Sequence, residues 1–416
     1  GAGPVTGAIQ AAAFGWLPVL LWILLGGIFF GAVTDFGALY ASVKNEGKSM
    51  GLLIEKYIGK TGRKLFLLFC WLFTLIVIAA FADMVAGTFN AYTVADGVTS
   101  LSPAAQTNGA AGSISLMFIV FAMVFGVIQK HLHLTGWKET LAGLACTVAA
   151  FAIGMAFPVV AGKDTWSYLT FAYIFLAAVM PMWLLMQPRD FMTTFMFAGM
   201  IIGATLGIVV AHPNMNLPVY TGFQNEKLGN LFPILFVTVA CGAISGFHAT
   251  QSPLMARCMK SEKQGHFVFY GAMVCEGIIA LIWAAAGCSL YEVTGGLNTG
   301  LAEIMKNGQS AAIYDVCQKT MGGVGIALAM LGVIACPITS GDTAFRSARL
   351  TLADWFKVDQ KNWKNRLILC VPVLGVGAIL GIGNALGKID YTVIWRYFSW
   401  TNQTLAMIVL WAASMY

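Results

Sequence analysis

Residues 64–94 read KLFLLFCWLFTLIVIAAFADMVAGTFNAYTV, and their only charged side chains are those of Lys64 and Asp83. A transmembrane helix needs about 20 consecutive apolar residues, because the hydrocarbon core of a bilayer is about 30 Å thick. The run is long enough to cross and is apolar on every side, whereas a barrel strand alternates apolar and polar residues over about ten positions. This stretch therefore predicts a transmembrane α-helix.

The rest of the chain has the same character. Of its 416 residues, 58% are hydrophobic and only 10% are charged, whereas a soluble globular domain has about 25% charged residues. So little charge excludes most water-soluble folds, and so much apolar side chain excludes intrinsic disorder. The composition predicts an all-α polytopic membrane protein that uses residues 1–416 as one transmembrane domain.

Apolar runs bounded by polar residues, Gly or Pro predict eleven complete spans. The spans are residues 16–41, 64–94, 113–130, 138–161, 166–187, 191–211, 229–250, 266–290, 321–345, 366–388 and 391–416. Residues 1–15 are predicted to be the second half of a further helix. Because the chain begins GAGPVTG without Met, we expect other residues to precede it. With that half counted as helix 1, the eleven spans are helices 2 to 12.

The distribution of basic residues supports this count of spans. When successive loops are assigned to alternate sides of the membrane, eighteen of the 24 Lys and Arg residues fall on one side. Cytoplasmic loops of membrane proteins are enriched in Lys and Arg, so this side and the C-terminus are predicted to be cytoplasmic. The net charge of +6 is thereby explained by topology, and we expect no nucleic-acid partner.

Four interruptions of the apolar helices indicate where a substrate could bind. They lie at residues 1–4, 180–181, 242–253 and 337–343. Non-helical backbone is tolerated at membrane depth only where it lines a cavity or is buried in protein. Each interruption alone is as consistent with a simple kink, but polar side chains cluster at the same four places, which favours a cavity.

The first two interruptions lie in helices 1 and 6, which are five spans apart and so run in opposite directions. This arrangement is typical of inverted five-plus-five repeats, whose broken helices meet near the bilayer midplane. The predicted repeats are roughly residues 1–161 and 166–345, with residues 366–416 as extra C-terminal helices. The predicted substrate-binding residues are Gly1, Ala2, Gly3, Pro4, Met180 and Pro181.

Ionisable residues inside a membrane span are costly and are functional candidates by default. Those interpreted as an ion-coupling group, with the hydroxyls near them, are Ser245, His248, Thr250, Glu276 and Asp83. Those interpreted as gating or structural pairs are Arg189, Asp190, Asp342 and Arg346. Structural alternatives stay open: the carboxyls of Asp83 and Glu276 bonded to a neighbouring helix, His248 satisfied within the bundle, and Asp342 as a helix cap or paired with Arg346.

Other polar residues are interpreted as structural. Asp35, near the end of its span, could extend toward the interface or pair with the basic loop that follows it. Asn402 and Gln403 lie in the middle of the last span, where amides usually bond between helices. The nine Cys residues include no CxxC motif, and a bridge between Cys288 and Cys317 is only a weak hypothesis.

Six stretches of the sequence resemble the carbon starvation protein A family, and they follow the family's order over most of the chain. They are GAGPVTGAIQAAAFG (1–15), GAVTDFGALYASVKNEGKSMG (31–51), MQPRDFM (186–192), SGFHATQSP (245–253), ITSGDTAFRSARLTLADW (338–355) and WRYFSWTNQTLAMIVLW (395–411). The resemblance implies an inner-membrane secondary transporter of the LeuT-type fold. It also implies that peptides or small carboxylates such as pyruvate are the substrates, that an ion gradient drives their uptake and that this uptake is linked to carbon starvation.

The leading hypothesis is therefore a symporter in the lipid bilayer that works by alternating access. The coupling ion stays open, because hydroxyls beside bare carbonyls suit Na⁺, whereas His248 or Glu276 suits a proton. A passive channel is an alternative. An intramembrane enzyme is a weaker one, because the sequence has no GxSxG or HExxH motif and a haem bundle needs paired histidines. We expect no catalytic activity, no metal and no cofactor besides the coupling ion.

Overall fold

The computed structural model describes residues 3–95, 98–102, 105–225, 229–290, 315–316, 319, 338–360, 362–385 and 391–416. Within these ranges the chain is almost entirely helical. Its helices are α1 (Gly3–Ala11), α2 (Trp16–Lys44), α3 (Met50–Tyr57), α4 (Lys60–Phe89), α5 (Ala105–Leu132), α6 (Trp137–Ala156), α7 (Lys163–Val179), α8 (Met186–Ala211), α9 (Leu231–Thr238), α10 (Ala240–Ala243), α11 (Phe247–Cys258), α12 (Glu262–Leu290), α13 (338–356), α14 (Trp363–Ala385) and α15 (Tyr391–Met415). Short antiparallel hairpins join β1 (Tyr92–Ala95) to β2 (Val98–Leu101) and β3 (Gln224–Asn225) to β4 (Gly229–Asn230).

Among the residues that the structure describes, six helices are long and apolar enough to cross a membrane, namely α2, α4, α5, α6, α8 and α12. Each corresponds to a predicted span, which confirms a multi-pass membrane protein. The predicted span 229–250 is instead divided into α9, α10 and the start of α11. Of the predicted span 321–345, only residues 338–345 are described, and these are helical.

Large apolar side chains cover the outside of the bundle. Leu65, Trp411 and Phe267 are 63%, 68% and 82% exposed, respectively. Exposed apolar patches of this kind are unusual on soluble monomers and suit contact with lipid. Beyond its first turns α4 is enclosed instead: from Phe73 to Phe89 most of its residues are buried, and the helix packs against α3, α7, α14 and α15. That position explains why its sequence is apolar on every side.

The short helix α1 is enclosed by α9, α10 and α12. Glycines permit this close approach: a Cβ atom added to Gly7 would lie 2.3 Å from the carbonyl oxygen of Thr238, and one added to Gly3 would lie 2.5 Å from Sγ of Cys241. Small residues at such contacts let helix backbones pack directly against one another in a membrane. The packing holds the beginning of α1, with Pro4, in the interior of the bundle.

Two of the four predicted interruptions are confirmed. The helix α7 ends where Met180 turns to extended backbone, with φ −66° and ψ 152°. Between α10 and α11, Ile244 is likewise extended, with φ −153° and ψ 129°. Residues 338–343 continue as regular helix, so that part of the fourth predicted interruption is wrong. Pro337 lies outside the described residues, as do Gly1 and Ala2.

Candidate functional site

A central cavity of about 630 Å³ lies where α1, α8, α11, α12 and α13 meet. Pro4 begins its wall on α1, Asp190 contributes from α8, and His248 from the first turn of α11. Glu276 on α12 and Thr343 on α13 complete its polar side. The cavity therefore collects residues from positions that are far apart in the sequence and close to three of the four predicted interruptions.

The His248 imidazole lies between two carboxylates on two other helices. Its Nδ1 atom is 2.6 Å from Oδ2 of Asp35 on α2, and its Nε2 atom is 3.3 Å from Oε2 of Glu276 on α12. The Asp35 side chain is only 4% exposed, whereas those of His248 and Glu276 are 25% and 21% exposed. We call these three residues the histidine triad. It runs from the buried interior to the cavity wall.

The protonation state of the histidine triad is linked to its charge. A protonated imidazole donates from both ring nitrogens and can bond both carboxylates at once, whereas a neutral imidazole can donate to only one. In the neutral form, the ring nitrogen without a proton would direct its lone pair at a carboxylate. The triad with protonated His248 has one net negative charge, and one further proton on a carboxyl makes it neutral. The arrangement can therefore take up or release a proton at the cavity wall.

A second charged cluster lies beside the cavity. The Arg189 guanidinium donates through Nη1 to the Asp342 carboxylate and to the Tyr173 hydroxyl, and through Nη2 to Oδ1 of Asp190 at 2.6 Å. The Tyr173 hydroxyl donates in turn to Oδ2 of Asp342 at 2.9 Å. Arg189 and Asp342 are buried, whereas Asp190 is half exposed and lines the cavity. Arg189 thus joins the cavity wall on α8 to the interior of α13.

The guanidinium of Arg346 binds the broken end of α7. Its Nη2 atom donates to the carbonyl oxygens of Ala177 at 2.9 Å and Met180 at 3.3 Å. The last carbonyls of a helix have no partner within the helix, and a cation at this end also interacts favourably with the helix dipole. The interruption at Met180 is thus satisfied by a side chain from α13.

Comparison with known proteins agrees with the sequence motifs. The family model described as carbon starvation protein CstA matches residues 1–316. The chain belongs to the CstA family. The peptide transporter CstA of Escherichia coli is 29% identical to it over 96% of this chain and 54% of that protein. The pyruvate/proton symporter BtsT of the same organism is 32% identical over 70% of this chain and 40% of that protein.

Coverage of these relatives is partial. The chain spans about half the length of the curated relatives that it matches. An uncharacterized membrane protein of Haemophilus influenzae is 32% identical over 70% of this chain and 75% of that protein. A crystal structure of the Eremococcus coleocola manganese transporter has a TM-score of 0.38 and 12% identity, and covers 98% of this chain and 76% of that one. A likeness of that size carries no argument about the fold.

In this CstA-family chain, the cavity brings together only some of the predicted site residues. Pro4, His248, Glu276 and Asp190 line it. Met180 and Pro181 are not among its lining residues within the described ranges. Their role in substrate binding stays a prediction, as do those of Gly1 and Ala2.

The two predicted hydroxyl ligands are already engaged. Ser245 is 3.4 Å from Oδ1 of Asn402, and Thr250 donates to the carbonyl oxygen of Phe247 at 2.6 Å. Among the residues that the structure describes, no group of three or more His, Cys, Asp or Glu side chains is arranged to hold a metal ion.

Asp83 lies apart from the cavity. Its Oδ1 atom is 2.7 Å from Nζ of Lys163, at the beginning of α7, and it does not line the central cavity within the described residues. This contact agrees with the structural alternative, in which the carboxylate bonds to a neighbouring helix. Its role in ion coupling stays a prediction.

Two other expectations are wrong. Asp342 pairs with Arg189 on α8 instead of Arg346 on its own helix, and it lies within regular helix instead of at a cap. Arg189, Arg346 and Arg349 count among the eighteen Lys and Arg residues on the predicted cytoplasmic side, but all three are buried instead of lying in exposed loops. The predicted contact between Arg189 and Asp190 is confirmed.

Sequence reasoning missed the partners of these residues. Asp35 was interpreted as a residue of the membrane interface, yet it is buried and bonded to His248. Tyr173 gave no signal, because a lone tyrosine in an apolar span is unremarkable. The signal for Asp35 was available: it is one of few carboxyls inside a span, as is Glu276, and a single deep histidine has two nitrogens to satisfy.

Proposed function

We propose that the chain forms the transport domain of a proton-coupled secondary transporter. It takes up a peptide or a small carboxylate such as pyruvate across the bacterial inner membrane, by alternating access. The printed functions of two relatives, peptide transport and pyruvate/proton symport, support the substrate classes. The central cavity between several helices supports a carrier, because secondary transporters bind their substrates near the midplane between helices.

The observation that carries the proposal is the position of the histidine triad. His248 and Glu276 line the cavity, while Asp35 lies behind them in the interior. When the cavity closes around a substrate, water leaves and a net charge becomes more costly. A triad with one net negative charge therefore resists closure, and one added proton removes that resistance. Closure with substrate is favoured when the proton is bound, which couples the two.

The contacts favour a proton over sodium as the coupling ion. A sodium site needs several oxygen ligands that point at one place. Within the described residues, neither Ser245 nor Thr250 lines the central cavity with His248 and Glu276. The histidine triad instead offers an imidazole and two carboxylates, all of which bind protons. Na⁺ is kept as the alternative to be tested.

We further propose the LeuT-type arrangement, with inverted five-plus-five repeats at roughly residues 1–161 and 166–345, extra helices at 366–416 and a cytoplasmic C-terminus. The short α1 leading to the cavity and the end of α7 at Met180 support broken helices 1 and 6. The basic loops support the orientation. Transport, and no enzymatic reaction, is the proposed activity.

The test is uptake by the purified full-length protein in liposomes. Labelled pyruvate and labelled dialanine are offered under an imposed proton gradient, and separately under a sodium gradient at clamped pH. We expect accumulation with the proton gradient only. His248→Gln and Glu276→Gln should lose accumulation yet keep counterflow of substrate, because coupling is removed while the cavity stays.

The matched control is His131→Gln, which changes an exposed histidine at the end of α5. It should accumulate substrate like the unaltered protein. Accumulation by sodium alone, or an undiminished response of His248→Gln to the proton gradient, would contradict proton coupling. Equilibration without accumulation under both gradients would instead support the passive channel.

A further inference from the structure

A second cavity, of about 440 Å³, lies near the face that carries the basic loops. Its walls come from α3, the first part of α4, α11 and α13. Lys48, Arg257 and Lys357 lie at its rim, and all three are exposed. Buried Cys70 on α4 also lines it. The second cavity therefore extends from the basic face into the bundle.

The same two helices line both cavities. On α11, His248 faces the central cavity and Thr250 faces the second one. On α13, Thr343 faces the central cavity, and Ser347, one helical turn further, faces the second one. The two spaces are thus neighbours along a shared pair of helices.

The side chain of Gln251 connects the walls of the two cavities at this point. Gln251 lines the central cavity, and its Nε2 atom donates to Oγ of Ser347 at 2.7 Å and to Oγ1 of Thr250 at 2.8 Å. Both acceptor residues line the second cavity. The amide of Gln251 therefore reaches from one cavity to the wall of the other and ties α11 to α13.

The charged residues that line the second cavity are three cations, Lys48, Arg257 and Lys357, and two carboxylates, Asp354 and Asp359. Oδ1 of Asp354 is held by Nη2 of Arg63 at 2.6 Å, and its Oδ2 accepts from Oγ of Ser49 at 3.1 Å. The rim cations Arg257 and Lys357 form no ion pair within the described residues. The carboxylate of a peptide or of a small acid is the group that such a rim attracts.

We propose that the two cavities are successive stations of one path and that Gln251 is the partition between them. The second cavity receives the carboxylate end of the transported molecule on the side of the basic loops. This inference rests on the proposed transport function. The path opens when the bonds from Gln251 to Ser347 and Thr250 break and α11 moves away from α13.

Two thiols, one native and one introduced, report on the two stations. Exposed Cys275 lines the central cavity, and partly exposed Leu254, the site of a Leu254→Cys substitution, lines the second one; native Cys70 is only 4% exposed and is too buried to label. In full-length protein that retains only one of these two thiols, a membrane-impermeant maleimide is applied from the basic side, in inverted membrane vesicles. We expect the Leu254→Cys thiol to react and Cys275 to be protected. Gln251→Ala should make Cys275 react roughly thirtyfold faster, the scale set by losing two net hydrogen bonds.

Gln403→Ala is the matched control. It removes an amide bond of the same length, 2.8 Å to the carbonyl oxygen of Phe236, at a residue that lines neither cavity within the described ranges. It should leave Cys275 protected. Ser347→Ala is the second variant and should expose Cys275 as well, should Gln251→Ala fail to fold. Unchanged protection of Cys275 in a folded Gln251 or Ser347 variant overturns the partition.

The charge of the second station is tested with 4-methylpentanoate and its uncharged amide. We expect the acid to slow alkylation of the Leu254→Cys thiol severalfold and the amide to leave it unchanged. Lys357→Asn should weaken this protection; Lys357 has φ +54°, a conformation that Asn tolerates. Equal effects of acid and amide overturn the proposal. None of these measurements requires transport, so a failure of symport in liposomes is a separate result.

Discussion

Replacing Arg189 by Met should destabilise the protein more than replacing its partner Asp342 by Asn. Asp342 is fully buried, and without Arg189 its carboxylate keeps only hydroxyl contacts, from Tyr173 at 2.9 Å and Thr343 at 3.3 Å. Asp342→Asn, in contrast, leaves the Arg189 guanidinium one ionic partner, the carboxylate of Asp190 at 2.6 Å. Removing the cation of this ion pair should therefore cost more stability than removing its anion.

The magnitudes follow from what each substitution leaves behind. An uncompensated buried charge costs about 3–5 kcal/mol, which we expect for Arg189→Met. Asp342→Asn leaves Arg189 paired with Asp190 and replaces the carboxylate by an amide that makes fewer hydrogen bonds. For this variant we expect a loss of about 1–3 kcal/mol. The double variant leaves no buried carboxylate without a cation, so it should be more stable than Arg189→Met alone.

The free energy of unfolding is measured by SDS titration in mixed micelles, with tryptophan fluorescence as the signal. Lys44→Met is the control, because it breaks an exposed pair of similar length, 2.6 Å to Glu262; it should change stability little. The reasoning is refuted if Asp342→Asn is the more damaging variant, or if the double variant loses the sum of the two single losses.

Three further outcomes are expected. Arg346→Leu should cost about 1–3 kcal/mol in the same titration, because the two carbonyls at the end of α7 lose their buried donor; unchanged stability would argue against that role. Gly7→Ala should lower the free energy of unfolding by about 1–3 kcal/mol, because its Cβ would clash with the carbonyl oxygen of Thr238. Gly87→Ala is the control and should not destabilise the protein, because Gly87 has open space around it. If both behave alike, close packing of α1 is not the cause. Asp83→Asn should retain proton-driven uptake in liposomes, because its lysine partner lies apart from the cavity; loss of coupling there would restore the prediction that it carries a proton.

Much of the fold could be predicted from the sequence because lipid imposes a simple rule. A helix that crosses the membrane must be apolar over its length, so a run such as residues 64–94 identifies itself without any tertiary information. The interruption at Met180 was equally visible, since proline follows it. What the interruption is used for could not be predicted: α13 supplies Arg346 to this end, and no local pattern reveals which helix lies beside it.

The candidate site shows the same division. His248 and Glu276 were identified because an ionisable residue in an apolar run must have a reason to be there. Their connection through Asp35 depends on α2, α11 and α12 meeting, and residues 35 and 248 are far apart in the chain. Gln251 was missed because an amide near a helix end has many ordinary explanations. The hydropathy of the sequence shows which residues lie within the membrane. Which residues of different helices are in contact depends on how the helices pack.

The glycine contacts of α1 bear on how the protein could change shape. A Cβ atom at Gly31 on α2 would lie 2.1 Å from the carbonyl oxygen of Ala243, and one at Gly242 would lie 2.6 Å from Cβ of Ala280 on α12. Gly7 and Gly31 thus meet backbone directly, whereas Gly3 and Gly242 meet the small side chains of Cys241 and Ala280. Sliding one past another would require several of them to separate at once, so α1, α2, α9, α10 and α12 form a stiff block. Any rocking motion must then take place across the boundary with α8 and α13, where the central cavity lies.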